Sequence, residues 1–308
     1  MNIKNIQNEI ILLKIIIIIL ILNVIFMIFN NQHIYRFPNN DDSNNSNLNY
    51  KILTFVILRR TKNSFSGLFS FYILYLGCIN KYINLGFIPI IDVMSYPNSF
   101  NGFNKSNNNN WEMFFNQPFG YTLKNVKKRA KHIKYIECTG YENRPDPKNI
   151  YYNQVLIHFW HDFAKKYMPI NNEILFQSET IMKHLFKRST NILGVKLRGT
   201  DYISKKPKGH PIPPSIELVI SDIKKLNIKF KYDWIFITSE DEIIKAKFIN
   251  PKKRINYNYK LRGNIVLNKD IIGNLDYTKN YLINIIILSK CIDLISSRGS
   301  GAAGIFIL

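Results

Sequence analysis

Short, unbroken apolar runs separated by helix-length segments constrain this chain more than any other feature. Residues 51–58 read KILTFVIL and residues 86–92 read GFIPIID, with a helix-length stretch from Gly67 to Asn84 between them. After residue 188 the pattern returns. Ile192 to Leu197 reads as a strand, Pro214 to Leu226 as a helix, Asp233 to Thr238 (DWIFIT) as a strand and Asp241 to Phe248 as a helix. Tyr277 to Cys291 then reads as a helix, Ile292 to Ile295 as a short strand, and a further helix opens at Gly301. Strands apolar on both faces belong in parallel sheets covered by helices on each side. The alternation therefore predicts an α/β fold of two Rossmann-like units, residues 51–188 and residues 189–308, with a cleft between them. Residues 149–187 read as helical with a break near Pro169, residues 101–110 as an Asn-rich loop, and Trp111 to Tyr121 as an aromatic connection. The helix opening at Gly301 has few residues before Leu308, so the second unit reads as truncated and its apolar end, GIFIL, is expected to be exposed.

Ahead of the folded body, Ile10 to Phe29 is interrupted only by Lys14 and Asn23. Its length matches the ~20 apolar residues needed to cross a bilayer. No small-residue cleavage pattern follows, so the run reads as an uncleaved anchor, residues 1–29 as cytoplasmic tail plus transmembrane helix, and the protein as single-pass, Golgi-type in a eukaryotic host. Residues 30–50, rich in Asn and Asp, read as a flexible stem. Asn44-Asn45-Ser46 and Asn104-Lys105-Ser106 fit the glycosylation sequon, but Asn is so common here that chance matches are expected.

Lys+Arg 42 against Asp+Glu 21 gives a formal net charge of +21, which attracts anions without choosing among them. The lysines are scattered, no basic block of a nucleic-acid arm is present, and nucleic acid is not an expected partner. The densest stretch, Lys124, Lys127, Lys128, Arg129, Lys131, His132 and Lys134, has spacings that fit one solvated helix face. Cys78, Cys138 and Cys291 form no Cys-x-x-Cys pair, so neither a zinc site nor a disulfide framework is expected, and Cys78 and Cys291 read as buried.

The chemistry concentrates where apolar runs end, because ligands of open α/β sheets bind at the carboxyl ends of strands. GVKLRGTD places Arg198, Thr200 and Asp201 at one such end, and the guanidinium fork holds two phosphate oxygens at once. An Arg198–Asp201 ion pair that merely orders the loop is the competing reading. At a second end, in DWIFITSEDE, Ser239, Glu240 and Asp241 serve either a ligand or a helix cap, since Ser239 with Glu242 makes a capping box. A third, ISSRGSGAAG, offers small residues and a helix N-terminus suited to an anion. The chain lacks both GxxxxGK[ST] and GxGxxG. His210, alone in a Pro-rich turn, reads as structural.

GVKLRGTD resembles the strand-loop motif of the α1,6- and protein O-fucosyltransferase superfamily, which reads His-x-Arg-x-Thr-Asp; Arg198, Thr200 and Asp201 match, and Lys196 stands where His is usual. IFITSEDE resembles that family's strand ending in Ala-Thr-Asp-Asp, and ISSRGSG its last donor-contacting segment, so the similarity covers roughly the last 120 residues. The resemblance implies a GT-B-like fold, a GDP-fucose-type donor, and inversion without a metal or other cofactor. It assigns Arg198 to the β-phosphate, with Lys196, Thr200, Asp201, Ser239, Asp241, Ser296, Ser297 and Arg298 around the donor. A glycan or glycoprotein acceptor is implied. The alternative is a non-catalytic or degenerate membrane-tethered protein that binds nucleotide sugars.

Overall fold

Strands β1 (Thr54–Arg59), β2 (Ile88–Ile91) and β3 (His132–Glu137) make a parallel sheet in the order β2-β1-β3. The structure is a computed structural model that describes residues 54–139, 144–146, 149–198, 212–239, 248, 259–263, 272–297 and 299–308. Among these residues no helix is long and apolar enough to cross a membrane; the expected anchor at residues 10–29 lies outside them. A second parallel sheet runs β6-β5-β4-β7, from β4 (Ile192–Leu197), β5 (Trp234–Ser239), β6 (Tyr259–Gly263) and β7 (Asp293–Ser296).

The apolar runs become central strands because both of their faces are covered. β1 is sealed from Phe55 to Leu58, and all of β4 is buried. Alternate residues of the second sheet divide between two layers. Leu193, Val195, Leu197, Ile235 and Ile237 pack with Val219 and Ile223 of helix α5 (Ile216–Phe230). Ile192 and Phe236 face the opposite way, into a larger cluster shared with helices α1 (Leu68–Asn84) and α6 (Leu275–Ser289). Gly194 permits close packing on that side: a Cβ there would stand 3.1 Å from both Cys291 and Leu288.

Helices α2 (Leu123–Arg129), α3 (Gln154–Tyr167) and α4 (Asn172–Phe186) complete the first half. The abundant Asn and hydroxyl residues supply their starts, satisfying backbone N–H groups that a helix leaves orphaned. Thr122, Asn153 and Asn171 cap α2, α3 and α4, and Ser215 and Asn274 cap α5 and α6.

Helix α7 (Ser300–Ile307) returns to the first half and lies against α1, α3 and α6. The expected exposure of GIFIL is therefore wrong: Gly304, Ile305 and Ile307 are buried. The reason is glycine at position 304, which lets the short helix lie directly on Phe69 of α1. His161 Nδ1 lies 3.0 Å from the Ile307 carbonyl and closes the helix end.

Two further expectations are corrected. The basic stretch is not one helix face: α2 ends at Arg129, and His132 and Lys134 belong to β3. Cys78 and Cys138 form a disulfide with a Cα–Cα distance of 6.4 Å; a separation of 60 residues gave no hint that β3 would end beside α1. Cys291 is partly exposed, and burial of its thiol pushes the pKa up to about 12.

Candidate active site

The residues expected at the donor site converge because β4, β5 and β7 are neighbours. Lys196 is paired in register with Thr238 on one side and Ser296 on the other, and Leu197 is paired with Ser239. Arg198 is half-buried just beyond the end of β4, and Ser297 just beyond β7. Side chains alternate between the faces of a strand. Lys196, Thr238 and Ser296 thus form one row, and Leu197 and Ser239 belong to the next row on the opposite face. Thr200, Asp201, Asp241 and Arg298 lie outside the described residues, as do Glu240, Glu242 and His210. Ser239 closes β5 and is 1% exposed; the helix expected at Asp241 to Phe248 is outside the described residues except for Phe248.

Helix α7 faces this edge with its N-terminus. The Tyr151 side chain ties the loop before it to the first half: its Oη donates to the Gly299 carbonyl at 2.8 Å and accepts from the Gly299 N–H at 2.9 Å. Gly301, in the first turn, sits against the Tyr281 hydroxyl and the end of the Lys196 side chain, leaving no room for a Cβ. Basic side chains and a helix N-terminus at one sheet edge make a place for a polyanion.

The carboxyl edge of the first sheet is equally polar. Arg59 and Glu137 end β1 and β3, and Asp92 follows directly on β2. Arg59 Nε lies 2.9 Å from the fully buried Asp92 carboxylate, and Lys127 Nζ lies 3.6 Å from it. The other Asp92 oxygen accepts from the Met94 and Ser95 N–H groups at 3.0 and 3.1 Å. Glu137 accepts from the Thr61 N–H at 2.6 Å, the Lys62 N–H at 3.1 Å and the Thr61 hydroxyl at 2.8 Å. Lys127 is thus a structural cation that also donates to Ser95 Oγ at 3.0 Å, rather than a purely solvated one. The strand-end rule that singled out Arg198 points equally to Arg59 and Asp92, because each follows an apolar run; Glu137 ends the polar strand HIKYIE and is outside its reach.

Among the described residues no group of His, Cys, Asp or Glu is placed to hold a metal ion.

No family model and no curated protein sequence matches this chain. Solved structures do. The fucosyltransferase NodZ from Bradyrhizobium superposes with a TM-score of 0.50 at 15% identity, over 83% of this chain and 91% of that one. POFUT1 in complex with GDP superposes with a TM-score of 0.50 at 9% identity, over 82% of this chain and 94% of that one. At such identities the likeness is one of fold, so the mixed α/β architecture with parallel sheets is a fucosyltransferase-like fold.

Proposed function

We propose that the chain is a membrane-anchored glycosyltransferase of GT-B-like architecture that moves fucose from GDP-fucose to a glycan or protein acceptor with inversion. The observation that carries the reading is the juxtaposition of Arg198, Lys196, Ser239, Ser296 and Ser297 at one sheet edge. A nucleoside diphosphate matches that inventory, and the fold is shared with a protein solved in complex with GDP. In the proposed reaction the acceptor oxygen bonds to the anomeric carbon while the bond to the β-phosphate oxygen breaks. GDP leaves with the electron pair, and the acceptor hydroxyl releases its proton. The task assigned to Arg198 is to hold the charge growing on the departing diphosphate, where losing an aimed donor raises a barrier by roughly 3 to 4 kcal/mol. Thr200, Asp201, Asp241 and Arg298 complete the donor site in this proposal.

Calorimetric titration of the full-length chain in detergent, with GDP, GDP-fucose and UDP in EDTA, tests it. Binding confined to the guanine nucleotides and abolished in Arg198→Ala is expected; a folded protein that ignores all three ligands would sink the assignment. A second reading, nucleotide-sugar binding without transfer, is favoured by Lys196 standing where the resembled motif has His. Product formation with a glycan array separates the two: the non-catalytic protein binds donor and releases no GDP.

A further inference from the structure

We infer that the outer face of α3 lies on an anionic lipid surface, an inference that rests on the membrane-anchored reading above. The inner face of this helix is taken up by the fold: Trp160 and Ala164 are buried, and His161 meets the end of α7. Along the outer side runs a row of aromatic rings. Phe119 lies 5.4 Å from Tyr167 between centroids, Tyr167 lies 4.7 Å from Phe163, and Phe163 lies 6.0 Å from Phe159. Phe159 is 46% exposed, and Val155, one turn before it, is 76% exposed. Phe119 joins the row from a turn with φ 60° and ψ 13°, a left-handed conformation that bulky side chains rarely take. A continuous apolar row on a protein surface marks a place where something else binds.

Two observations name the occupant. The first is charge. Lys165 and Lys166 are exposed in the last turn of α3, and Lys124, Lys128 and Arg129 are exposed on α2, which opens just after the Phe119 turn. Asp162 is the only acid of α3. Aromatic rings flanked by lysine and arginine are the composition of a surface that rests among anionic headgroups, the rings at the acyl boundary and the cations at the phosphates. A glycan would need polar groups between the rings, and Val155, Phe159 and Phe163 supply none. The second observation is the chain outside the fold. Residues 30–53 join the expected anchor, which ends at Phe29, to β1 at Thr54, and even fully extended they reach no further than roughly 80 Å. The bilayer is therefore always within reach of an anchored body, and contact with it is an intramolecular event.

The test places single full-length chains in nanodiscs of phosphatidylcholine, alone or mixed with phosphatidylglycerol. Val155→Cys, in a Cys291→Ser background, is labelled with a neutral polyethylene-glycol maleimide; Ile228→Cys on α5, where the native side chain is 75% exposed, is the reference. Labelling of Val155→Cys should slow about tenfold when phosphatidylglycerol is present and recover at high salt, while Ile228→Cys changes less than about twofold. Adding Phe159→Ser should bring the rate to within about threefold of its value in neutral discs, and Lys165→Glu, at an exposed position, should do the same and serves if the first variant does not fold. Fast labelling in both lipids leaves the face bare and overturns the proposal. Slow labelling in both, unmoved by salt, shows the row covered by another segment of the chain and overturns it too. Slowing only in discs that hold two chains gives the face to a second copy, and slowing by maltoheptaose in neutral discs gives it to sugar; either result overturns lipid docking. A chain that washes out of neutral discs removes the anchor reading alone. Flotation with phosphatidylglycerol vesicles, retained by the wild type and lost in Phe159→Ser and Lys165→Glu, then still decides the docking face.

Discussion

Gln117 does the work of a missing strand. Among the described residues β2 is an edge strand, and the Ile91 N–H and C=O face outward with no further strand to pair. The Gln117 amide meets both: Oε1 accepts from the Ile91 N–H at 2.9 Å, and Nε2 donates to the Ile91 carbonyl at 2.8 Å. Asn109 shares the duty, donating to the Ile91 carbonyl at 2.8 Å and accepting from the Val93 N–H at 3.0 Å. Because Gln117 is 5% exposed, water cannot easily replace it. Gln117→Ala should lower stability by roughly 1 to 3 kcal/mol, the penalty for the orphaned Ile91 N–H, since Asn109 still serves the carbonyl, as read from urea melts. A second pair of side chains makes stability depend on alkaline pH. Tyr75 and Tyr96 share a hydrogen bond of 3.1 Å, and Tyr96 accepts from the Arg60 N–H at 3.1 Å. Burial is the chief cause that pushes Tyr96 up to about 12 from its ordinary 10.0 and raises Tyr75 well above it. The unfolded chain loses these protons first, so their contribution is complete below pH 10 and is lost as pH rises toward 12 and beyond. Stability measured across that window should fall steeply in the wild type and less steeply in Tyr96→Phe.

Among the elements, α7 is the one whose seat depends on a single missing atom. A Cβ on Gly304 would collide with the Phe69 ring of α1, and Phe69 cannot swing away because it is 2% exposed and packed against Tyr72 and Tyr281. Gly304→Ala should therefore cost about 1 to 3 kcal/mol through overpacking, despite the better helix propensity of alanine. Combining it with Phe69→Leu should recover part of the loss, and strictly additive costs would refute direct contact. The same helix shows which parts of the fold the sequence discloses. β1, α1, β2, β4 and β5 were legible, since strands covered on both faces are written as unbroken apolar runs. HIKYIE was not, because β3 is an edge strand with His132, Lys134 and Tyr135 exposed, and its basic residues continue those of α2 without a change of period. The strand ends carrying Lys196, Arg198, Ser239 and Ser296 were legible by the same rule as their strands. The Arg59–Asp92–Lys127 cluster and the Tyr151 clasp on Gly299 depend on partners separated by 33, 35 and 148 residues, which no local pattern records.

At the scale of the molecule, two sheets do not make two independent folding units. Residues 51–308 form a single compact unit. One apolar cluster runs from Val56 and Phe69 through Trp111 and Trp160 to Ile192, Phe236, Ile286 and Ile307, taking members from both sheets and from the helices on each side of residue 188. α6 packs on α4, and α7 on both α1 and α3. Separating the sheets would expose fully buried aromatic and aliphatic side chains on both halves. Such contact is unlike the smaller, more polar interfaces at which domains move independently. The Cys78–Cys138 link adds a covalent tie within the first half, closing a loop whose chain-entropy contribution is about 4 kcal/mol. Calorimetry should consequently show one unfolding transition, with equal calorimetric and van't Hoff enthalpies. Reduction of the disulfide should lower the midpoint, leaving one transition, because the apolar cluster and not the covalent tie couples the halves. Two resolved transitions, before or after reduction, would show that the shared cluster does not couple the sheets.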